Sequence, residues 1–347
     1  MPKGRIAALL AVCLTAGMLL AGCGGGSKQG SGDVAAPKNE GKLVIYCPHQ
    51  MSLIKPVVAA FEEESGIRTE VIRAGTGELL QRLEAEKDAP QCDVLWGGTF
   101  NSVKPYQELF ADYCSANDAA MQPAFKNSGP FNWYSDLPSV IMVNTNLIGD
   151  IRVEGYADVL NPALQGRIAM ADPAKSSAAY EHLVNMLYAM GRGNPDAGWD
   201  YVAAFCASLQ GQLLPSSYEV YKSVADGNNV VGLTFEEGAA KCMADGAPVQ
   251  VIYMREGVIP DPDGVFVMKG AKQREAAEKF VDFVTSKKSQ EMLVQQLHRR
   301  SVRADVPQPD KLPAKDEVNF ITDDKAVVSA SKAAWIERFH KLYDSAR

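Results

Sequence analysis

The 347-residue sequence has only four histidines, no two cysteines in C-x-x-C spacing and no G-x-S-x-G motif. Without paired cysteines a zinc knuckle is not expected. Without the nucleophile motif, and with no histidine placed to identify a base, a serine hydrolase is not expected either. No apolar stretch after Leu20 is long enough to cross a bilayer. These absences favour a binding protein over an enzyme or a membrane-spanning protein.

Positive charge is also in the minority. The chain has 35 Lys and Arg against 42 Asp and Glu, which gives a formal net charge of −7 at pH 7. Binding to nucleic acid requires a basic face that neutralises phosphates, so we expect no nucleic-acid partner. A local pocket can oppose the net charge, and a small anionic ligand therefore stays compatible with this composition.

The N-terminus has the organisation of an export signal. Lys3 and Arg5 precede an apolar run from Ile6 to Leu20, and the order L-A-G-C that ends at Cys23 resembles a bacterial lipobox. In a lipobox the cysteine becomes the lipidated first residue of the mature protein. We therefore expect a signal peptide at residues 1–22 and a lipidated, flexible Gly- and Ser-rich tether at 23–41. The exported protein would be anchored in membrane lipid through Cys23, facing the periplasm or the cell exterior.

Strands and helices alternate from residue 42 onward. The apolar spacing predicts strands at 42–46, 68–72 and 93–96, separated by helices at 53–64 and 77–86. The order β-α-β-α-β is typical of the α/β class and of an open, parallel, doubly wound sheet. Ligands of such sheets lie beyond the carboxyl ends of the strands. The residues predicted there are His49, Gly75, Thr76, Gly77, Gly98 and Thr99.

A second α/β series begins at the predicted strand 139–144. We expect lobe 1 at residues 42–138, lobe 2 at 139–262, a return to lobe 1 at 263–298, and a C-terminal segment at 299–347 that packs on lobe 2. Hinge residues are expected near 139–144 and 263–268. Cys206 and Cys242 fall on predicted helices of lobe 2, so a disulfide between them and two free buried thiols both stay open.

Several segments resemble the substrate-binding proteins of ATP-binding-cassette (ABC) importers. These segments are Tyr46–His49, Phe61–Ile67, Ala74–Leu80, Asp93–Gly98, Asp261–Gly264, Phe280–Phe283 and Arg299–Arg303. The resemblance covers nearly the whole mature chain and is specific to the branch with ferric-ion, hexose-phosphate and organophosphonate binders. It implies a two-lobed periplasmic-binding-protein fold (type II), with doubly wound sheets joined by crossing hinge strands. It also implies a monomer without a cofactor that traps a solute between its lobes and delivers it to ABC permease subunits.

The resemblance leaves two ligand classes open. Ferric-ion binders of this branch carry two adjacent tyrosines after a strand of the second lobe, and the corresponding stretch here, 232–237, has none. His49 lies where some iron binders have a histidine, and Tyr218 and Tyr221 are one helical turn apart. The missing tyrosine pair therefore argues against ferric ion, but His49, Tyr218 and Tyr221 keep it open as an alternative ligand.

A phosphorylated sugar or an organophosphonate would use different groups. Thr76, Gly77, Ser176, Ser177, Ser216 and Ser217 stand at predicted helix N-termini, where several termini aimed at one cleft favour an anion. For each serine alone, an ordinary helix cap is the commoner role. Tyr218 belongs to the same helix start. We also expect Glu236 to accept hydrogen bonds from ligand hydroxyls, and Arg255 either to pair with the anion or to form a structural ion pair.

Two other classes of function compete with solute transport. A secreted hydrolase would need a nucleophile and a base, and Cys47 and His49 are too close in an irregular loop to meet productively. An adhesin or a signalling sensor would use the same two lobes, and the sequence does not separate it from transport. The sequence therefore predicts a lipid-anchored solute-binding protein, with no enzymatic activity.

Overall fold

The structure is a computed structural model, and it describes residues 41–310, 312–314 and 317–346. The predicted signal peptide and the tether up to residue 40, including Cys23, lie outside the described residues. The described chain folds into two lobes, each built on one β-sheet with helices packed against it.

The first lobe contains a five-stranded sheet in the order β2-β1-β3-β9-β4. Most of its elements come from the first third of the chain. They are β1 (Leu43–Cys47), α1 (Met51–Ser65), β2 (Thr69–Arg73), α2 (Thr76–Ala85), β3 (Val94–Thr99), α3 (Phe100–Val103) and β4 (Asn132–Asp136). The chain later returns with β9 (Pro262–Val267), α9 (Arg274–Thr285) and α10 (Lys287–Leu297).

The second lobe contains a four-stranded sheet in the order β6-β7-β5-β8. Its elements are β5 (Ser139–Asn144), α4 (Tyr156–Val159), β6 (Ile168–Ala169), α5 (Ser177–Met190), α6 (Trp199–Leu209), α7 (Ser217–Ala225), β7 (Val231–Phe235), α8 (Glu236–Ala244) and β8 (Val249–Ile252). The C-terminal helix α11 (Lys325–Ser345) packs on α6.

The first strand shows why the apolar runs form strands. Leu43, Ile45 and Cys47 face one buried cluster of the first lobe, while Val44 and Tyr46 face another on the opposite side of the sheet. Successive side chains of a strand point to opposite faces, so a strand covered on both faces is apolar at every position. The next helix, α1, ends at Ser65, and Gly66 caps it: Gly66 takes φ 70° and donates its N–H to the Glu62 carbonyl.

The three strands predicted to be parallel, β1, β2 and β3, are parallel, but each sheet as a whole is mixed. β1 pairs in parallel with β2 and β3, but β9 runs antiparallel to both β3 and β4. In the second sheet β5 runs antiparallel to β7 and β8. β5 and β9 are the strands that directly follow the two crossings between the lobes. Each of them enters its sheet from the opposite lobe and therefore runs in the reverse direction.

The connections between the lobes are shorter than the predicted hinges. Residues 139–144 and 263–268 are mostly sheet residues, and the chain crosses between β4 and β5 at Leu137–Pro138. It crosses back at 259–261, where the Leu137 N–H donates to the Asp261 carbonyl at 2.9 Å. The two crossings are thus hydrogen-bonded to each other, and each lies just before the range near which a hinge is expected; the hinge role itself stays a prediction.

The predicted C-terminal segment 299–347 divides between the lobes. Residues near its start bond to the first lobe, since the Asp136 N–H donates to the Arg300 carbonyl and the Gln122 N–H to the Val302 carbonyl. The helix α11 then packs on the second lobe. The assignment of residues 299–304 to the second lobe is therefore wrong, because this stretch runs along β4 before the chain crosses again.

The two lobes touch at the start of α2. The Gly77 N–H donates to the Lys175 carbonyl of the second lobe at 3.4 Å. A Cβ at Gly77 would lie 2.2 Å from the Ala174 carbonyl oxygen, well inside van der Waals contact. This closed arrangement therefore requires glycine at position 77.

Replacing Gly77 with Ala should hold the lobes apart, because the added methyl group would clash with the Ala174 carbonyl oxygen. A backbone oxygen cannot move aside by a side-chain rotation. Small-angle X-ray scattering should fit the closed arrangement for the wild type and a larger radius of gyration for Gly77→Ala. Gly211→Ala is the matched control, since a Cβ there meets no atom nearer than 3.5 Å. Identical scattering from the wild type and Gly77→Ala would contradict this role.

Candidate functional site

A cavity of about 90 Å³ lies between the lobes, beyond the carboxyl ends of β1, β2 and β3. Ten of the thirteen residues predicted to bind ligand line it, and three do not. The ten are His49, Gly75, Thr76, Gly98, Thr99, Ser176, Ser177, Ser216, Ser217 and Tyr218. The structure thus brings these residues together, and their part in binding stays a prediction.

A wider groove of about 520 Å³ runs between α8 and α10. Its walls are mostly apolar and include Ala240, Met243 and Val294. The polar groups that the sequence marks surround the smaller cavity instead, which makes that cavity the candidate site.

Among the helices that begin at the cavity are α2, α5 and α7, and serines cap the last two. The Ser176 side chain accepts from the Ala179 N–H at the start of α5, and the Ser216 side chain accepts from the Glu219 N–H at the start of α7, both at 3.4 Å. An extended residue with a short oxygen-bearing side chain is a favoured helix start, because it satisfies one of the unpaired N–H groups. The capping role considered for these serines is confirmed.

Other N–H groups of the same first turns are unpaired. Among the described residues, the backbone N–H groups of Ser177, Ala178, Ser217 and Tyr218 have no acceptor. Each lies at the positive end of a helix dipole, in α5 or α7. Two helix starts therefore offer donors to the cavity that no protein group uses.

Hydroxyl groups join the three helix starts. Thr76 Oγ1 of α2 lies 3.3 Å from Ser177 Oγ of α5, across the two lobes. Ser176 Oγ lies 2.7 Å from Ser217 Oγ. These hydroxyls are close enough for one small group with several acceptor oxygens to contact more than one of them.

A buried arginine also lines the cavity. Arg299 Nη1 donates to Asp263 Oδ2 at 3.0 Å and to Tyr134 Oη at 2.7 Å, both in the first lobe. Its Nη2 donates to Glu237 Oε2 of the second lobe at 3.1 Å. Arg299 is 1% exposed, so its charge is neutralised by two carboxylates from different lobes.

His49 is held in the neutral form by the same arginine. Its Nδ1 lies 3.3 Å from Arg299 Nη2, which can only donate, so Nδ1 must accept and Nε2 carries the proton. Nε2 lies 3.2 Å from Asp263 Oδ2. Burial and the nearby guanidinium lower the pKa of His49. Burial opposes the ionisation of Asp263, but His49 and Arg299 hold its pKa well below the usual range.

Glu236 does not reach the cavity. Both of its carboxylate oxygens accept from Arg300 Nε at 2.9 Å, and Tyr253 Oη donates to Oε1. The side chains of Glu236 and Arg300 are 1% and 0% exposed. The expectation that Glu236 binds ligand hydroxyls is therefore wrong, and its neighbour Glu237 is the residue that lines the site.

Arg255 lies outside the cavity as well. Its guanidinium donates to Glu154 and Asp158, both at 2.9 Å, and its side chain is 48% exposed. The structure therefore shows the structural ion pair that was one of the two expected roles of Arg255.

Two predicted glycines act on the backbone. Gly77 does not line the cavity but allows the approach of the lobes described above. Gly98 has φ +112° and donates its N–H to Asp263 Oδ1 at 2.6 Å. A side chain at Gly98 would be strained in this conformation, so glycine is required for β3 to meet Asp263.

Eleven of the lining residues were not predicted, and four of them are charged residues that bond across the site or come from the crossings. Asp261, Asp263 and Arg299 come from crossing or returning segments, and Glu237 from the first turn of α8. No local signal marks Arg299, because its burial depends on Asp263 and Glu237, which are distant in the sequence.

Cysteines and metal-binding groups are also accounted for within the described chain. Cys206 and Cys242 are free, so the disulfide that stayed open is not formed. Among the described residues no cluster of three or more His, Cys, Asp and Glu side chains is placed to hold a metal ion. Nor does any helix in these stretches have the length and apolar character needed to cross a bilayer.

Comparison with known proteins gives a consistent picture. Residues 43–296 match the family model of the bacterial extracellular solute-binding proteins. A probable ABC transporter periplasmic-binding protein of Sinorhizobium fredii, y4fP, is 27% identical over 72% of this chain and 71% of its own length. Iron uptake protein A1 of Synechocystis is 24% identical over 83% of each chain.

Solved structures agree with the described fold. The periplasmic binding protein AfuA of Actinobacillus pleuropneumoniae, solved with fructose 6-phosphate bound, superposes with a TM-score of 0.82 at 26% identity. The superposition covers 88% of this chain and 99% of AfuA. The fold is therefore the two-lobed fold of periplasmic binding proteins.

Glu236→Ala should destabilise the protein by about 3 kcal/mol or more, because it leaves the buried Arg300 guanidinium without its carboxylate. Arg255→Ala is the control and should destabilise the protein far less, because its ion pairs are solvent-exposed and screened. Urea unfolding followed by circular dichroism measures both changes. Equal losses in the two variants would contradict the distinction between a buried and a surface pair.

Proposed function

The chain belongs to the bacterial extracellular solute-binding proteins, and we propose that it captures a small phosphorylated sugar or organophosphonate between its lobes. The captured solute would then be delivered to the permease of an ABC importer. The observation that carries the proposal is the meeting of three helix starts at one cavity, with unpaired N–H groups from two of them.

The donors at the helix starts suit a tetrahedral oxyanion. A phospho group has three acceptor oxygens, and the first-turn N–H groups and serine hydroxyls provide donors from several directions. The positive ends of the helix dipoles add attraction for its negative charge. Closure of the lobes removes water from this contact, which strengthens each hydrogen bond.

Arg299 has a supporting role in this proposal. Its guanidinium is already neutralised by Asp263 and Glu237 in the closed arrangement. Lys175, at the rim of the cavity, is 64% exposed and directs its Nζ to within 3.9 Å of Asp172. The helix starts are therefore the main anion-binding groups that we propose.

Ferric ion is the alternative solute, because one relative is an iron uptake protein. The stretch where ferric-ion binders of this branch carry adjacent tyrosines here contains Phe235 and Glu236. The Glu236 carboxylate is occupied by Arg300 and Tyr253, so it supplies no free anionic oxygen. This occupancy favours the phosphorus-containing solutes.

We propose binding without turnover. The one histidine at the cavity, His49, has its Nδ1 turned to Arg299 and its Nε2 to Asp263, so no ring nitrogen is free to accept a proton from water. The burial of Cys47 raises the pKa of its thiol, which opposes formation of a nucleophilic thiolate. His49 is therefore not available as a general base, and Cys47 is not poised as a thiolate nucleophile, as a hydrolase would need.

Replacing Ser177 with Asp should abolish binding of phosphorylated solutes while leaving α5 intact. A carboxylate in the first helical turn stabilises the helix by about 0.3–1 kcal/mol, yet it repels an incoming anion and competes for the same N–H groups. Calorimetric titration with glucose 6-phosphate and with methylphosphonate should show a loss of at least about tenfold in affinity, equal to 1.4 kcal/mol.

Ala326→Asp is the matched control, because it places a carboxylate in the first turn of the exposed start of α11. Its affinity should equal that of the wild type. Undiminished affinity in Ser177→Asp would move the anion site elsewhere. Stabilisation of the wild type by ferric ion alone, in a thermal-shift assay over the same solutes, would show the alternative to be correct.

We further propose that the protein is lipid-anchored through Cys23, as its lipobox-like sequence indicates. Cys23→Ser should release the protein into the soluble fraction, whereas the wild type should stay with membranes and incorporate labelled palmitate. Cys114→Ser, which changes an exposed cysteine of the first lobe, is the control. Membrane association of Cys23→Ser equal to that of the wild type would contradict the anchor.

A further inference from the structure

Asp261 differs from the other acidic residues around the cavity. Three carboxylates line it, and two of them have cationic or N–H partners: Asp263 binds Arg299 and the Gly98 N–H, and Glu237 binds Arg299. The Asp261 side chain accepts no hydrogen bond and forms no ion pair in the part of the chain that the structure describes. Asp261 is nevertheless only 5% exposed.

The position of Asp261 is fixed by its backbone. Its carbonyl accepts from the Leu137 N–H at 2.9 Å, and its own N–H donates to Asp136 Oδ1 at 3.3 Å. Asp261 belongs to the second crossing, and these bonds tie it to β4 and to the first crossing. They fix its backbone at the wall of the cavity.

The surroundings of Asp261 are mostly acidic. Glu181 from α5, Asp263 from β9 and Asp136 from β4 all act on it, and Lys325 at the start of α11 is the positive group that faces it. Lys325 Nζ is bound to Asp323 Oδ1 at 2.9 Å and forms no ion pair with Asp261. Burial, and then Glu181, raise the pKa of Asp261 well above its usual range.

A buried carboxylate without a partner is costly, and it signals a missing positive charge or donor. A purely anionic solute would add negative charge to a site that already contains an unpaired carboxylate. A solute that also carries an ammonium group would neutralise Asp261 with a charge-assisted hydrogen bond. The cavity thus contains groups suited to a negative charge, at the starts of α5 and α7, and one suited to a positive charge, at Asp261.

The size of the cavity agrees with a compact solute. Since a water molecule occupies about 30 Å³ in the liquid, a cavity of 90 Å³ has room for about three water molecules. An aminoalkyl phosphonate with two carbons has about seven non-hydrogen atoms, whereas a hexose phosphate has about sixteen. The closed arrangement therefore favours the smaller class.

We propose that Asp261 binds the ammonium group of a zwitterionic solute whose phospho group lies at the starts of α5 and α7. This inference rests on the proposed function, and it names the solute class as small aminoalkyl phosphonates or phosphate monoesters of amino alcohols. Asp261 is then the residue that determines specificity for the amine.

The test compares 2-aminoethylphosphonate with propylphosphonate, in which a methyl group replaces the ammonium group. Calorimetric titration of the wild type at pH 7 should give at least tenfold higher affinity for the amine. Asp261→Asn, which keeps the size and the backbone bonds of the residue, should lose this preference while retaining its affinity for propylphosphonate. Asp88→Asn, an exposed change of the same charge, should behave as the wild type.

Three results would overturn the inference. Equal affinity of the wild type for the two phosphonates would by itself contradict the inference, whatever the variants show. A preference for the amine that survives in Asp261→Asn would place the ammonium group elsewhere. Tighter binding of glucose 6-phosphate than of either phosphonate, lost in Asp261→Asn, would show that Asp261 binds a hydroxyl. If the wild type binds no phosphorus compound, the proposed function itself fails, which is a different result from equal affinity.

Discussion

The buried guanidinium of Arg299 is the constraint on which the site depends. A guanidinium cannot give up its proton, so a fully buried one must be matched by anionic and polar partners. Asp263, Tyr134 and Ser135 provide them in the first lobe, and Glu237 provides them from the second. Because Asp263 also binds the Gly98 N–H, the ends of β3, β4 and β9 are fixed relative to one another.

The same constraint gives the cavity its polarity. Arg299 and Asp263 neutralise each other on the side of the first lobe, and His49 is kept neutral between them. The positive potential in the cavity then comes mainly from the N-termini of α5 and α7, and Asp261 adds a carboxyl group without a partner in the described chain. A further contact between the lobes, from Asn101 Nδ2 to Glu181 Oε2 at 2.8 Å, closes the cavity near Asp261. Capture of a solute is thus coupled to closure of the lobes, because the walls of the cavity come from both lobes.

Local patterns in the sequence were sufficient for much of the fold and for one face of the site. Apolar runs predicted β1 and β5 to within a residue, and serine before an apolar helix predicted the starts of α5 and α7. Such signals lie within a few residues of the features they predict. The direction of β9 and the positions of Asp261 and Arg299 depend on how the chain crosses between lobes, which no local pattern records.

Two errors at the site have simple geometrical causes. Glu236 and Glu237 are consecutive in α8, so their side chains point about 100° apart, and only one of them can face the cavity. The sequence offered no reason to choose Glu237, because the choice is made by Arg300 in a distant segment. Arg255 follows an edge strand whose position in the sheet is likewise set by long-range pairing.

The central claim is that the starts of α5 and α7 hold the phospho group of the solute. The most direct test is a ¹H–¹⁵N spectrum of the protein recorded before and after saturation with 2-aminoethylphosphonate. The account predicts downfield shifts of the amide protons of Ser177, Ala178, Ser217 and Tyr218, because each forms a hydrogen bond to a phosphoryl oxygen. Saturation that leaves these four amide resonances in place would contradict it.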